Sequence, residues 1–360
     1  RNKRNATRLM GGSAATVARV QSIMWPDLTI RELGFAAETS FDLSNTTALV
    51  VGARYDHVKA DYGRADERAT VTGRTPNDLY RAFYGVTAGD RTENNLGGLL
   101  RLEHDLTDTT TLFGSISRSI RTADATERGL VNDRGLGANN SSWIGNPDID
   151  PEKHHQAEAG LSTGGADWQL NASAYVNLVD DYILRDSARG QDGILITSAN
   201  ADVYRNIDAL LTGLELSGEW ALTQTLHAKA DAAFTYGQDR DGNRALPQVP
   251  PLQGAFHLDW QTDEMVQLGS TLRYATRQTR VDTSATSATG RDVGKTAGYM
   301  VVDLRTVVTP TDGFEVSAGV SNLFDTTYAN HLNRSNVFDP VEVRVNEPGR
   351  SVLVRGRVTF

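Results

Sequence analysis

About thirteen stretches of this chain alternate apolar and polar residues with a period of two, and the connections between them alternate between short and long. A period of two puts successive side chains on opposite faces of a sheet. Leu33, Phe35, Ala37, Thr39 and Phe41 oppose Glu32, Gly34, Ala36, Glu38 and Ser40. Leu226, Ala228, Ala230, Ala232 and Phe234 oppose His227, Lys229 and Asp231, and Val352, Val354, Gly356, Val358 and Phe360 oppose Leu353, Arg355 and Arg357. Each strand therefore has one apolar face and one that carries charge. Tight turns are expected at 43–46, 107–109, 163–165, 223–225, 262–264 and 309–313, and long polar segments fall between them, as at 60–94, 122–152 and 276–297.

A soluble sandwich has no reason to gather every long connection at one end. A transmembrane β-barrel does, with short periplasmic turns, long extracellular loops and strands of about ten residues. Lys229, Asp231, Asp259, Asp303, Arg305, Arg355 and Arg357 share the face opposite the apolar set. An Arg or Lys facing lipid at mid-membrane costs roughly 2–4 kcal/mol, so this face lines a hydrated lumen. Trp168, Trp220, Tyr236, Trp260, Tyr274 and Phe360 lie near strand ends on the apolar face, where interfacial aromatic belts sit. The expected fold is an all-β, antiparallel transmembrane barrel. Single-chain bacterial barrels have even strand numbers, so an odd count predicts that amino-terminal strands are missing. Residues 1–25 are expected to be the irregular remnant of an extracellular loop, and 26–360 the carboxy-terminal wall.

Composition removes other classes. A net charge of −9 gives no footprint for nucleic acid. The absence of cysteine excludes disulfides and thiolate metal sites within the chain. No run of about 18 apolar residues offers a transmembrane helix, but barrel strands escape hydropathy averages. The chain opens Arg1-Asn2-Lys3-Arg4 with no export signal, which points to a fragment.

Several words resemble the TonB-dependent outer-membrane receptors: Ser321-Asn-Leu-Phe-Asp325 with Tyr328, Glu347-Pro-Gly-Arg350 before the last strand, Ser117 to Arg128, and Asn146-Pro-Asp-Ile-Asp-Pro-Glu152 before a descending strand. Their order covers essentially the whole chain. The resemblance implies a 22-stranded barrel with an amino-terminal plug, which this chain lacks. It implies active uptake of a scarce ligand, with the TonB-ExbB-ExbD complex acting through that plug. Outer-membrane lipid and the barrel assembly machinery are further implied partners, the latter meeting the last strand, Val354, Gly356, Val358 and Phe360. No tightly bound cofactor is expected. Haem receptors of the family place a ligating His between the Arg121 and Asn146 regions, and this chain has none there. Its words look most like the copper-receptor branch, with a ferric siderophore as the alternative cargo. Copper(I) favours Met, Cys and His. The four Met are scattered, so the main site is expected in the missing part.

The candidate ligand-binding residues are Arg121, Arg128 and His331, and the candidate metal ligands are His154 and His155. Each has a plainer reading. Neighbours on a strand point to opposite faces, which makes one ion shared by His154 and His155 awkward. The arginines serve equally as lumen-lining charges paired with Asp or Glu, and His331 as ordinary loop chemistry. An enzyme is disfavoured because G-x-S-x-G, HExxH and P-loop motifs are absent. A passive plugless porin stays open as a third reading.

Overall fold

The computed structural model describes residues 2–10, 19–136, 141–283, 292–334 and 343–359. In chain order the elements are β1 (Asn2–Met10), β2 (Arg19–Ser44), β3 (Thr47–Tyr62), helix α1 (Pro76–Tyr84), β4 (Arg91–Thr107) and β5 (Thr110–Arg121). Helix α2 (Ala125–Gly129), β6 (Val131–Asn132), β7 (Trp143–Ile144), β8 (Glu152–Gly164), β9 (Trp168–Arg189) and β10 (Thr197–Ala221) follow. The chain closes with β11 (Leu226–Asp239), β12 (Arg244–Ala245), β13 (Gln253–Gln261), β14 (Val266–Ala275), β15 (Tyr299–Thr311), β16 (Phe314–Ser321) and β17 (Ser351–Val358).

Three of these strands, β6, β7 and β12, are two-residue pieces inside loops. The other fourteen form one wall of antiparallel neighbours in sequence order, β5 pairing with β8 and β11 with β13 across the loop pieces. All thirteen expected strands are present. The fourteenth is β1, which pairs with the upper part of β2 from Asn2↔Ile30 to Met10↔Arg19. Residues 2–10 and 19–25 are therefore ordered strand rather than irregular chain, and the argument from an odd strand count falls away. Among the described residues β1 and β17 each have a neighbour on one side only, so the wall is an open sheet.

Register carries the two-faced pattern from strand to strand. Glu219 stands opposite Lys229, which stands opposite His257, and Asp259, Gly269, Arg305 and Gly319 form another row. These charges meet on the polar face: Lys229–Glu219 at 2.9 Å, Arg273–Asp303 at 3.0 Å and Arg101–Glu103 at 2.6 Å. The opposite face shows Leu33, Leu100, Ile116, Leu214, Leu216 and Leu304 exposed, as a surface made for lipid must. Trp168 pairs with Trp220 at the turn end, and Trp260 sits at the same end of β13, which places one aromatic belt at the short-turn rim.

The short turns end the strands for local reasons. Thr46, Thr109 and Thr225 each donate their backbone N–H to the hydroxyl of a Ser or Thr two residues earlier. Gly313 turns β15 into β16 with φ 77°, open to glycine without cost. Two of the recognisable words are one structure. Asn322 and Asp325 both adopt left-handed backbone, at φ 52° and 55°. Asn322 bonds Thr326 both ways, and Asp325 Oδ1 accepts the Arg350 N–H at 2.8 Å. A Cβ on Gly349 would stand 2.8 Å from that same oxygen, so the Glu347–Arg350 word needs its glycine.

Leu216 lies on the lipid face five residues from the short-turn end of β10, near the middle of a crossing of about ten residues, with Ser217 beside it on the polar face. In the full receptor reconstituted in vesicles, Leu216→Arg should lower the unfolding free energy by about 2–4 kcal/mol, while Ser217→Arg leaves the urea midpoint nearly unchanged.

Candidate ligand-binding site

Strands β2, β9 and β10 have 26, 22 and 25 residues, far beyond the 9–11 that cross a bilayer. Their upper parts stand outside it and carry a folded roof. Helix α1 starts at a capping box, Thr75 accepting from the Asp78 N–H and Asp78 from the Thr75 N–H, with Pro76 in the first turn. It buries Leu79, Tyr80, Phe83 and Tyr84 against Val131, Ile144, Ala188, Ile194, Ala201 and Val203. Tyr84 donates to the Ile144 carbonyl at 2.6 Å and accepts the Tyr204 N–H at 3.0 Å. Helix α2 begins at a second capping box, Asp124 with Glu127, and sets Ala125 on Leu28, Ile30, Val58 and Ala60. Those four wall residues are in register with the polar face, so α2 packs on the lumen side.

Between the helices the β5–β8 loop crosses the mouth. Asn132 of β6 accepts from Arg8 of β1 at 2.7 Å, while β7 pairs in parallel with β10 through Trp143↔Asp202 and Ile144↔Val203. Strands β1 and β10 lie seven spacings apart along the wall, on the order of 34 Å. A short two-stranded piece that reaches both ends means that the wall curves inward around the polar face. Below the roof that face encloses a basin of about 800 Å³ lined by Glu32, Glu38, Arg54, Asp56, Leu99 and Ser117, among others.

Arg121 ends β5 on the lumen side, half-exposed, with Nε 2.7 Å from Glu152 and the other nitrogens 3.0 Å from Glu127. Glu152 also takes the Ile183 N–H and His154 Nε2, and the Asn177 amide donates to His154 Nδ1 at 3.0 Å. His154 thus belongs to a lumen-side chain running from Arg121 to Asn177. His155 points to the other face, 3.5 Å from Asp180, so the two histidines do not converge. Among the described residues no group of three or more His, Cys, Asp or Glu is arranged to hold a metal ion.

Arg128 is not available to a ligand. It is wholly buried, paired with Glu93, and donates to the carbonyls of Ala123 and Ile149, pinning α2 to the wall. His331 is buried as well, between Thr296 Oγ1 at 2.7 Å and Asp292 at 3.0 Å. Asp292 also accepts the N–H groups of Gln248 and Asp282, so one carboxylate ties three loops together. Val354, Gly356 and Val358 lie exposed in the edge strand β17; Phe360 falls outside the described residues.

A second ionic tie lies outside the bilayer. Asp186, near the far end of β9, meets Arg189, Arg205 and Arg244, and Arg244 continues to Asp239 and Asp282. Burial alone would raise the Asp186 carboxyl, but the three arginines, Arg244 first, hold it down to about 2. Period-two reading does not find this network or the roof. The Thr75-Pro76-Asn77-Asp78 start, followed by Leu79, Tyr80, Phe83 and Tyr84, is the one local signal that could have announced α1.

The family profile described as TonB dependent receptor-like, beta-barrel matches residues 3–323. The chain belongs to that family. Its members are transporters of the outer membrane, not enzymes. Among solved structures the receptor barrel is similar to the copper transporter OprC, at 25% identity and TM-score 0.78 over 99% of this chain and 52% of that one. It is also similar to the ferric yersiniabactin receptor FyuA from Yersinia pestis, at 16% identity and TM-score 0.66 over 92% and 46%. The ferric-catecholate receptor Fiu from E. coli matches at 17% and 0.64, over 92% and 45%. The chain thus spans about half the length of these structures.

Two outcomes follow from the roof. Arg128→Ala strands Glu93 in a buried site and should cost about 3–5 kcal/mol, appearing as protease cleavage within 122–150 while the wall keeps its heat-resistant gel mobility. A depressed carboxyl stabilises only where it is ionised. The Asp186 tie should therefore be complete above about pH 4 and lost as pH falls through about 2, read as faster hydrogen exchange around Arg244.

Proposed function

We propose that this chain forms the carboxy-terminal wall and extracellular roof of an outer-membrane receptor that takes up a scarce metal by TonB-coupled transport, with copper as the cargo. The observation that carries the copper reading is the likeness to OprC, which spans 99% of the chain at a TM-score of 0.78, above the iron-chelate receptors described. A ferric siderophore is the second reading, supported by the fold shared with FyuA and Fiu. A passive pore is disfavoured, because a mouth crossed by a packed, charge-pinned roof is poorly built for free diffusion.

In this reading residues 26–360 are the wall, and β1 paired with the upper part of β2 lies on the extracellular side. TonB-ExbB-ExbD acts through a plug, lipid covers the apolar face, and the assembly machinery meets Val354, Gly356, Val358 and Phe360 of the closing strand. Cargo passes the lumen-side chain of Arg121, Glu152 and His154. Soft ligands for copper(I) are few in this chain: Met265 sits in a short turn and Met300 on the lipid face, which leaves Met10 in β1 and Met24 in upper β2.

Cells carrying the full receptor as their sole outer-membrane copper route should accumulate copper at least tenfold faster than receptor-less cells, and lose that excess on deletion of tonB. Accumulation that survives the deletion points to a pore. Accumulation of a ferric chelate in place of copper establishes the second reading.

A further inference from the structure

We infer that the outside of the wall carries a seat for an anionic lipid: Arg118 of β5, with His155 of β8 beside it, holds a phosphate of an outer-leaflet lipid whose acyl chain lies in the groove below them. The inference needs only the outer-membrane place of the family and stands apart from the identity of the cargo.

Alternation and register put both side chains on the lipid side. Leu112, Gly114, Ile116 and Arg118 share one face of β5, and Leu112 and Ile116 are exposed there. Across the wall the row through Arg118 runs Ala53, Gly98, Arg118, His155 and Leu178. Arg118 stands eight residues beyond Thr110 at its short turn, and His155 nine before Gly164, while a tilted strand crosses hydrocarbon in about 9–11 residues. Both therefore lie where the hydrocarbon of the outer leaflet gives way to headgroups. A polar layer begins just outside them on the same face, where the Tyr55 hydroxyl and His57 Nδ1 meet the Asn94 amide oxygen at 2.7 and 3.0 Å.

A groove of about 540 Å³ lies against this row, lined by Gly98, Leu100, Ile116 and Ala157 with Arg118 and His155 at its outer end. The strands that form it, β3, β4, β5 and β8, are each paired on both sides, so it is not an edge awaiting further strands. It is apolar below and cationic above, which is the polarity of an anionic lipid. Among the described residues the one polar contact of the Arg118 side chain is the Leu96 carbonyl, at 2.8 Å, and no carboxylate pairs with it. By contrast Arg31 and Lys59, farther out on the same face, both meet Asp61. His155 stays exposed, 3.5 Å from Asp180. A guanidinium on a lipid-covered wall is costly unless it reaches the interface, and its planar fork matches a phosphate with two parallel hydrogen bonds. Phosphate is the counter-charge that a bilayer offers at that height.

The test is native mass spectrometry of the full receptor in detergent, with lipid A and phosphatidylcholine as probes and inorganic phosphate as competitor. The wild type should hold lipid A more tightly than phosphatidylcholine, whose headgroup has no net charge, and inorganic phosphate should not displace it. Arg118→Gln should weaken lipid A roughly tenfold or more, the worth of one charge-assisted hydrogen bond, and leave phosphatidylcholine unchanged. Ala157→Phe, which fills the groove, should weaken lipid A with Arg118 intact. Arg31→Gln is the control, because that arginine is already paired. Heat-resistant gel mobility confirms folding, and Ala157→Phe decides if Arg118→Gln fails it. Equal lipid A affinity in the wild type and the folded variants overturns the inference, as does an equal loss in Arg31→Gln. Phosphatidylcholine held as tightly as lipid A, displacement by inorganic phosphate, or a lipid-free dimer that Arg118→Gln dissolves would overturn it too. Metal uptake is a separate measurement, so the cargo reading survives any of these failures.

Discussion

Hydrocarbon offers a backbone nothing to hydrogen-bond with, and the rest of this structure depends on that constraint. Each N–H and C=O within the bilayer must find a partner in the protein, which leaves a strand only its two neighbours. The registers from β2 to β17 answer it, shifting only beside the short turns and in the long outer parts of β9 and β10, with each strand from β3 to β16 paired on both sides through the middle of the wall. Among the described residues the edges within the bilayer are residues 31–44 of β2, which pair with β3 alone, and β17, and there the demand is met on one side only. An exposed edge is a template for further pairing, which suits a chain that spans about half of its structural relatives.

Outside the bilayer the rules change, and so does the construction. Water can satisfy loose backbone there, so helices, two-residue strands and turns become affordable. The roof uses them to make a small soluble core around Phe83, Tyr84, Ile144 and Val203. Charges also change role. In the lumen they form partly exposed pairs such as Lys229–Glu219, which add little to stability. In the roof they are buried and shared, as with Arg128–Glu93 and the cluster on Asp186, where removing one partner strands the others.

The division between legible and illegible features follows the same boundary. The wall could be read because its information is local: alternation assigns each side chain a face, and Thr, Gly and Asn residues mark the turns. Strand β1 was missed because Asn2-Lys-Arg-Asn-Ala-Thr-Arg-Leu-Met10 has no alternation, and its place is fixed by pairing with β2 through shifted register. The roof was missed because its contacts join residues far apart in sequence. Arg128 and His331 are ligand-binding candidates by sequence, but in the structure both are buried and pin loops from within rather than face a ligand. His154 and His155 separate for the reason alternation gives: adjacent strand residues face apart.

The parallel contact of β7 with β10 joins Trp143 to Asp202, and the Tyr84–Tyr204 bond spans 120 residues. Loop closure over such separations is entropically unfavourable until the intervening strands hold the ends close. The roof can therefore form only after β8, β9 and β10 are in register, so during assembly the mouth is the last part of this half-barrel to acquire its shape. A slip anywhere in those three strands would leave the chain inserted yet open at the top, a failure of closure rather than of insertion.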